Sequence, residues 1–262
     1  MKNYVIISTI TLFLFGASAS QKVVNSKKSV PTLPGLNNTE VLKKNTSKEA
    51  FDHAGFNELL NNFVRLDGSV DYAQFTKNRT VLRLYIAQLG KQMPTEIWSH
   101  EDKLAYWMNA YNALTIDLII RNQPIESIKD IKKPWKQSLW KLGGTLYNLN
   151  EIEHQILRKM GDPRIHFGIN CASFSCPPLL NEAFTAKKVD LQLDTLAKKF
   201  VNDTQRNTIT PELIRVSKIF NWFSKDFNQE GNLIDFLNTY ADTKINSDAK
   251  VLYMDYDWKL NM

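Results

Sequence analysis

The chain is poor in what would make several functional classes easy to argue. Of its 262 residues only two are cysteine and four are histidine, too few at zinc-ligand spacing to predict a structural metal site, so no metal and no cofactor is expected. The two cysteines, Cys171 and Cys176, have four residues between them, which is not the Cys-x-x-Cys of thioredoxin-like redox sites. No internal repeat is visible. No segment combines spanning length with uniform apolarity: the run YVIISTITLFLFG near the start falls short of the roughly 18 residues a membrane-crossing helix needs. A basic face is missing as well. The formal charge is +6, yet residues 1–50 hold seven lysines against two glutamates, so the remaining 26 basic and 25 acidic residues nearly balance. Without a basic stripe there is no footprint for a phosphate backbone, and nucleic acid is not an expected partner.

What is present divides the chain into three. Met1 to Ala19 opens on Lys2, continues apolar and closes on Ala17-Ser18-Ala19, a small-x-small cleavage pattern. Residues 1–19 are therefore expected to be an export signal, placing the protein in the periplasm or outside the cell with no membrane span in its mature form. Residues 20–50, rich in Lys, Asn, Ser and Pro, have no helical or strand period and are expected to form a disordered tether. Residues 51–262 suit one globular domain with a sizeable core, expected to be monomeric.

Within that domain the patterns are mostly helical. FDHAGFNELLNNFV is amphipathic, LDGSVDYAQFTKN reads as a turn, and RTVLRLYIAQLGKQ as a helix ending near Gly90. The longest signal is SHEDKLAYWMNAYNALTIDLIIRNQ, with Ser99 as cap and Pro124 as stop. Leu104, Trp107, Met108, Tyr111, Leu114, Thr115, Leu118 and Ile119 form its broad apolar arc. GGTLYNLNEIEHQILRKMGDP reads as a short strand feeding a helix, RIHFGIN as a buried strand, and CASFSCPP as a loop at its end. AKKVDLQLDTLAKKFVND and NLIDFLNTYA are helices, TITPELIRVSKIF a hairpin turning at Pro211-Glu212, and AKVLYMDYDWKLN a terminal strand. Helices mixed with a few strands, without regular alternation, predict an α+β fold: a mostly helical single domain packed on a small mixed or antiparallel sheet.

The polar residues placed inside these apolar patterns are the candidate site. Asn112 falls within the arc of the long helix and Asn109 at its edge, where they pin a neighbouring loop or line a pocket. Glu153 lies among apolar positions of its own helix, and a carboxylate there needs a cation or several N–H donors; His154 flanks it. Asn170, Cys171, Ser173 and Cys176 gather after His166. Cys171 as a nucleophile needs a base, which His166 or His154 could supply with Glu153 or Glu151 orienting the imidazole. Against this stand a Cys171–Cys176 disulfide, as an oxidising compartment permits, and two packed free thiols. Ser173 and Ser175 lack the Gly-x-Ser-x-Gly elbow. Trp135, Trp140 and Trp258 are expected to pack in the core, Trp258 as a plug, with flanking of the crevice the alternative for Trp135 and Trp140.

The segments YWMNAYNALTI, LNEIEHQILR, RIHFGINCASFSCPPL, AFTAKKVDLQLD and DYDWKLN, in that order, resemble the bacterial branch of the family known as domain of unknown function 547. That resemblance implies no reaction. A distant likeness to papain-like and transglutaminase-like folds would put a nucleophile at the start of the central helix, where this chain has no cysteine. Three functions remain open: a thiol-dependent hydrolase or acyl transferase acting on a peptide or amide, a non-catalytic binding or scaffold module with a disulfide-braced loop, and a thiol-disulfide oxidoreductase. In each the partner is an unidentified small molecule or peptide.

Overall fold

A computed structural model describes residues 50–262; the export-signal expectation and all but the last residue of the tether expectation lie outside them. The chain begins with three helices, α1 (Ala54–Phe63), α2 (Tyr72–Lys77) and α3 (Arg79–Lys91). α2 lies in the stretch read as a turn. Asp71 caps it by accepting from the Gln74 N–H at 2.9 Å, and its buried Tyr72 and Phe75 give too short a pattern to register as a helical period.

The long helix α4 (His100–Asn122) is the axis of the domain. The Ser99 hydroxyl accepts from the Asp102 N–H at 2.9 Å, Glu101 and Asp102 stand at the positive end of the helix dipole, and Arg121 at the negative end. Every residue from Leu104 to Ile120 is buried, so the apolar arc is only part of what this helix hides. α2 and α3 pack on it from one side and later elements cover the rest. Asp117 sits in this interior and is answered by Trp140, whose indole N–H donates to it at 2.8 Å, and by Arg121. Trp140 is thus a core residue and does not flank a crevice.

A hairpin follows, β1 (Trp140–Leu142) with β2 (Thr145–Tyr147). Its turn, Gly143-Gly144, has both φ values positive, 55° and 91°, the geometry that two-residue hairpins favour and glycine permits. The helical segment after it is irregular. α5 (Leu149–Glu151) opens on a capping box between Asn148 and Glu151, widens into a π turn over Ile152–Ile156 and tightens to a 3-10 turn over Leu157–Met160. One helix was expected here; the widened turn is invisible to a 3.6-residue pattern.

The stretch RIHFGIN is not a strand. Ile165–Gly168 form a short helix, α6, and the chain becomes extended at Ile169. Alternation predicted a strand because the odd positions are apolar, but His166 and Gly168 are buried too, and burial on every side removes the alternation's meaning. A Cβ on Gly168 would stand 2.1 Å from Met108 Cε and 3.0 Å from Phe184 Cζ, so a side chain there would have to push the end of Met108 aside and crowd Phe184.

α7 (Val189–Val201) packs on α4 and α6. β3 (Thr208–Ile209) and β4 (Leu213–Val216) form the expected antiparallel hairpin, and β5 (Lys250–Tyr253) adds to β4 in parallel. Short helices α8 (Ile219–Trp222) and α9 (Ser224–Phe227) precede α10 (Leu233–Tyr240). The fold is α+β, with a two-stranded antiparallel sheet and a three-stranded mixed one. After β5 the last residues run as a strap between two loops: Leu260 N–H donates to the Glu126 carbonyl at 2.9 Å, and Phe174 N–H to the Lys259 carbonyl at 2.7 Å. Asn261 fixes its end, accepting from the Tyr72 hydroxyl at 2.7 Å.

A thiol cavity walled by aromatic residues

The two asparagines of α4 act as clasps. Asn109 donates to the Phe184 carbonyl at 2.8 Å and accepts from the Phe184 N–H at 3.0 Å. One turn on, Asn112 donates to the Gly168 carbonyl at 2.9 Å and accepts from the Asn170 N–H at 2.9 Å. Each side chain serves one backbone donor and one acceptor, as a neighbouring strand would, and a buried backbone needs such partners where no ladder exists. Asn109 and Asn112 therefore pin loops. Of the two readings considered for them, pocket lining is the one the structure corrects.

The loop that Asn112 holds carries the cysteines. Asn170 shapes it: its Oδ1 accepts from the Ala172 N–H at 2.7 Å and its Nδ2 donates to the Pro177 carbonyl at 2.8 Å. Ala172 is thereby held at φ 60°, a left-handed conformation that a non-glycine residue rarely adopts and that clusters at functional sites. Cys171, half-buried, precedes it. Both cysteines are free thiols in this structure. Cys171 Sγ lies 3.0 Å from Ser173 Oγ and 3.3 Å from the Tyr256 hydroxyl, and those two oxygens are 2.8 Å apart. The Cys171 N–H donates to Cys176 Sγ at 3.1 Å.

This arrangement favours a thiolate at Cys171. Hydrogen bonding from Cys176 is the largest influence, ahead of the opposing effect of burial, and Ser173 and Tyr256 add to it; together they pull the Cys171 thiol well below its ordinary value. Cys176 moves the other way, pushed up by burial and by the neighbouring Cys171. Tyr256 is also pushed up, chiefly by burial, so its phenol keeps the proton it donates. No imidazole among the described residues lies within hydrogen-bonding distance of the Cys171 sulfur; its neighbours are the Ser173 and Tyr256 hydroxyls.

Cys171 lies on the wall of a cavity of about 590 Å³, within the range of small-molecule sites. Glu153 and His154, presented by the π turn, line it with His166, Tyr111 and Cys176. π turns recur at functional sites. Glu153 accepts from the Tyr111 hydroxyl at 3.1 Å; burial, only partly offset by that bond, raises its pKa to about 7.

The histidines have fixed tautomers. Arg158 grips Asp226 with two bonds of 2.6 and 2.7 Å and approaches His154 Nδ1 at 3.1 Å. A guanidinium only donates, so Nδ1 accepts and the neutral ring carries its proton on Nε2. Burial, then the Arg158 charge, lowers the His154 pKa and keeps it neutral. His166 Nε2 is 2.8 Å from Asp226 Oδ2. Burial would raise the Asp226 pKa, but bonds from His166 and Arg158 hold it well below the carboxylate range. It therefore accepts, and His166 donates from Nε2. Burial lowers the His166 pKa, and Asp226 only partly restores it.

Trp135, Trp222, Phe223 and Trp258 line the cavity, with Lys133 and Lys136 among its exposed lining. Trp258, expected as a core plug, packs with Trp222, Tyr256 and Trp135 at ring distances of 4.5 to 5.8 Å. Of the residues singled out from sequence, Cys171, Cys176, Glu153, His154 and His166 meet at this cavity. Ser173 supports Cys171, and Asn109, Asn112 and Asn170 stand behind it. Tyr111, Arg158, Asp226 and Tyr256 had no site role from sequence. Tyr111 read as one more apolar-arc residue, and Tyr256 lay in DYDWKLN, a family-like mark without a readable chemistry.

Fold and site thus define an α+β domain with a cavity that carries two thiols on its wall. Residues 95–201 match the family model described as protein of unknown function, DUF547. No curated protein and no solved structure matches the chain. The matched segment contains the clasps, Glu153, His154, His166 and both cysteines, whereas Trp222, Phe223, Asp226, Tyr256 and Trp258 lie beyond it.

Proposed function

We propose that the protein is a thiol-dependent acyl-transfer enzyme, a hydrolase or transferase acting on an amide or related acyl substrate. One observation carries the reading: a thiol in contact with two hydroxyls faces the same cavity as a second thiol and a buried, tyrosine-bonded carboxyl. The Cys171 thiolate attacks the carbonyl carbon and a C–S bond forms. The displaced electron pair becomes an oxyanion, toward which His154 offers its Nε2–H. Glu153 in its protonated form gives its proton to the leaving amine as the C–N bond breaks, leaving a thioester. Water or an acceptor nucleophile then attacks the thioester, loses its proton to the Glu153 carboxylate and expels Cys171 as thiolate. A pKa near 7 suits Glu153 to both steps. In this reading His154 is a donor, a role different from the base first considered for it.

The test is a chromogenic aryl ester with a phenylacyl group, followed by mass spectrometry. The expected result is Cys171-dependent release of the phenol and an acyl adduct on the Cys171 peptide that accumulates in Glu153→Gln. Equal turnover by Cys171→Ala would end the proposal. A second reading, thiol-disulfide exchange, is favoured by the contact between Cys171 and Cys176. Cys171 would displace one sulfur of a substrate disulfide and Cys176 the second, leaving the pair oxidised and the substrate reduced by two electrons. A Cys171–Cys176 reduction potential well above that of structural bridges would support it. We also infer, from the small-x-small cleavage pattern in Met1–Ala19, that the protein is exported to the periplasm or beyond, and, from the resemblance of its segments to the bacterial branch of the DUF547 family, that its source is a bacterium.

A further inference from the structure

The cavity differs in chemistry between its reactive wall and its mouth. One short loop, Lys133–Lys136, contributes four consecutive lining residues. Its backbone is held in an uncommon shape: Lys133 has φ 49° and ψ 54°, left-handed, immediately before the buried Pro134. A residue before proline is ordinarily driven to extended backbone, so this lysine is doubly disfavoured where it stands. The loop is tied by Gln137, which donates to the Lys132 carbonyl at 2.7 Å, and by Trp135 edge-on to Trp258. Lys133 and Lys136 are exposed. The lysines that form ion pairs among the described residues are Lys188, Lys198 and Lys218; neither mouth lysine is among them. Glu153 is the one carboxylate on the cavity wall, and it is buried.

A box of tryptophans can also receive a cation over its ring faces. Here Lys129 already occupies one such place, with Nζ 4.6 Å from the Trp258 ring centroid, and two further ammonium groups stand at the mouth. A cationic ligand would be repelled. We propose that the cavity takes an acyl or amide substrate whose apolar body lies against Trp135, Trp222 and Trp258 and which ends in an anionic group held by Lys133 and Lys136. This rests on the acyl-transfer reading, in which the carbonyl must reach Cys171. Lysines act as point charges without the planar fork of arginine, so the shared chemistry is the negative charge, carried by a carboxylate or a phosphoryl group.

The experiment is calorimetric titration of the full chain with 4-phenylbutyrate, 3-phenylpropylphosphonate and the uncharged 4-phenylbutyramide, three ligands with similar apolar bodies. Exposed charge pairs are each worth a factor of a few, so two give the anions an advantage of about tenfold over the amide. Added salt shrinks that advantage, and Lys133→Gln/Lys136→Gln reduces it to about threefold or less. The order of the two anions identifies the preferred group. Equal binding of amide and anions, a preference that survives the double substitution, or no binding of either anion at millimolar concentration overturns the proposal. Calorimetry does not need a reactive thiol. An inert Cys171 with the anion preference intact would therefore sink the acyl-transfer reading alone, and a reactive Cys171 without the preference would sink this one alone.

Discussion

Replacing Cys176 by alanine is the sharpest test of how the thiol is activated. Cys176 is the largest of the influences that lower the Cys171 pKa. A hydrogen bond to a charged group contributes about 1.5 to 3 kcal/mol, and one pKa unit corresponds to about 1.4 kcal/mol, so its loss should raise the Cys171 midpoint by about 1 to 2 units. Ser173 and Tyr256 keep their contacts and prevent a larger rise. Cys176→Ser retains a donor and should shift the midpoint by less than half as much. The assay is the rate of iodoacetamide alkylation at Cys171 against pH, with the modified peptide identified by mass. Thiolate nucleophilicity grows with pKa at a Brønsted slope of about 0.4 to 0.5. The alanine variant should therefore react roughly threefold to fifteenfold more slowly at pH values below both midpoints and faster than wild type on the high-pH plateau. An unchanged or lowered midpoint, or equal shifts in the alanine and serine variants, would refute the account. A wild-type protein with no alkylatable thiol until reductant is added would refute the resting nucleophile itself.

Other perturbations follow from the same geometry. Asn112→Ala leaves the Gly168 carbonyl and the Asn170 N–H without their partners, and chemical denaturation should show a loss of about 2 to 4 kcal/mol; a loss under 1 kcal/mol would mean water replaces the clasp. The Glu153 pKa is raised in the folded state, from 4.5 to about 7, so its favourable contribution is full below pH 4.5 and is lost as pH rises through about 7. Glu153→Gln should flatten the stability profile in that window by up to about 3 kcal/mol, and an unaltered profile would place the titration elsewhere. Asp226 has the opposite sign: its folded pKa is lowered, so its contribution is present above about pH 4 and disappears as acid protonates it. Asp226→Asn should lose the matching part of the acid transition, and an acid transition identical to wild type would refute the Arg158–Asp226–His166 network as its source.

The long helix was legible because its signals are local. Ser99, the acidic first turn and Pro124 fix its ends through groups a few residues away, and an apolar content this high leaves no alternative to burial. The α7 helix and the Pro211-Glu212 hairpin were readable for the same reason. RIHFGIN misled because its apparent period of two came from a segment buried on every side, where alternation carries no information. Asn112, Glu153, His166 and the cysteines stood out from a single rule, that polar groups in apolar surroundings must find partners; Asn112 found backbone, while the others line the cavity. That rule requires partners. It does not say which.

Sequence by itself determined the helical α+β composition and the near-neutral charge of residues 51–262, and it offered nine candidate site residues, because composition, capping and misplaced polarity are written within short windows; that Glu153, His154, His166, Cys171 and Cys176 are the ones that line the cavity is a tertiary fact. Tertiary structure alone decided which groups activate the thiol and which surround the ligand space. Tyr256 reaches Cys171 across 85 positions of chain, and Asp226 reaches His166 across 60. A strap and a pair of short helices, each unremarkable in its own window, carry them there. Hydrogen bonds of that sequence separation exist only after the core has packed, and no local pattern encodes them.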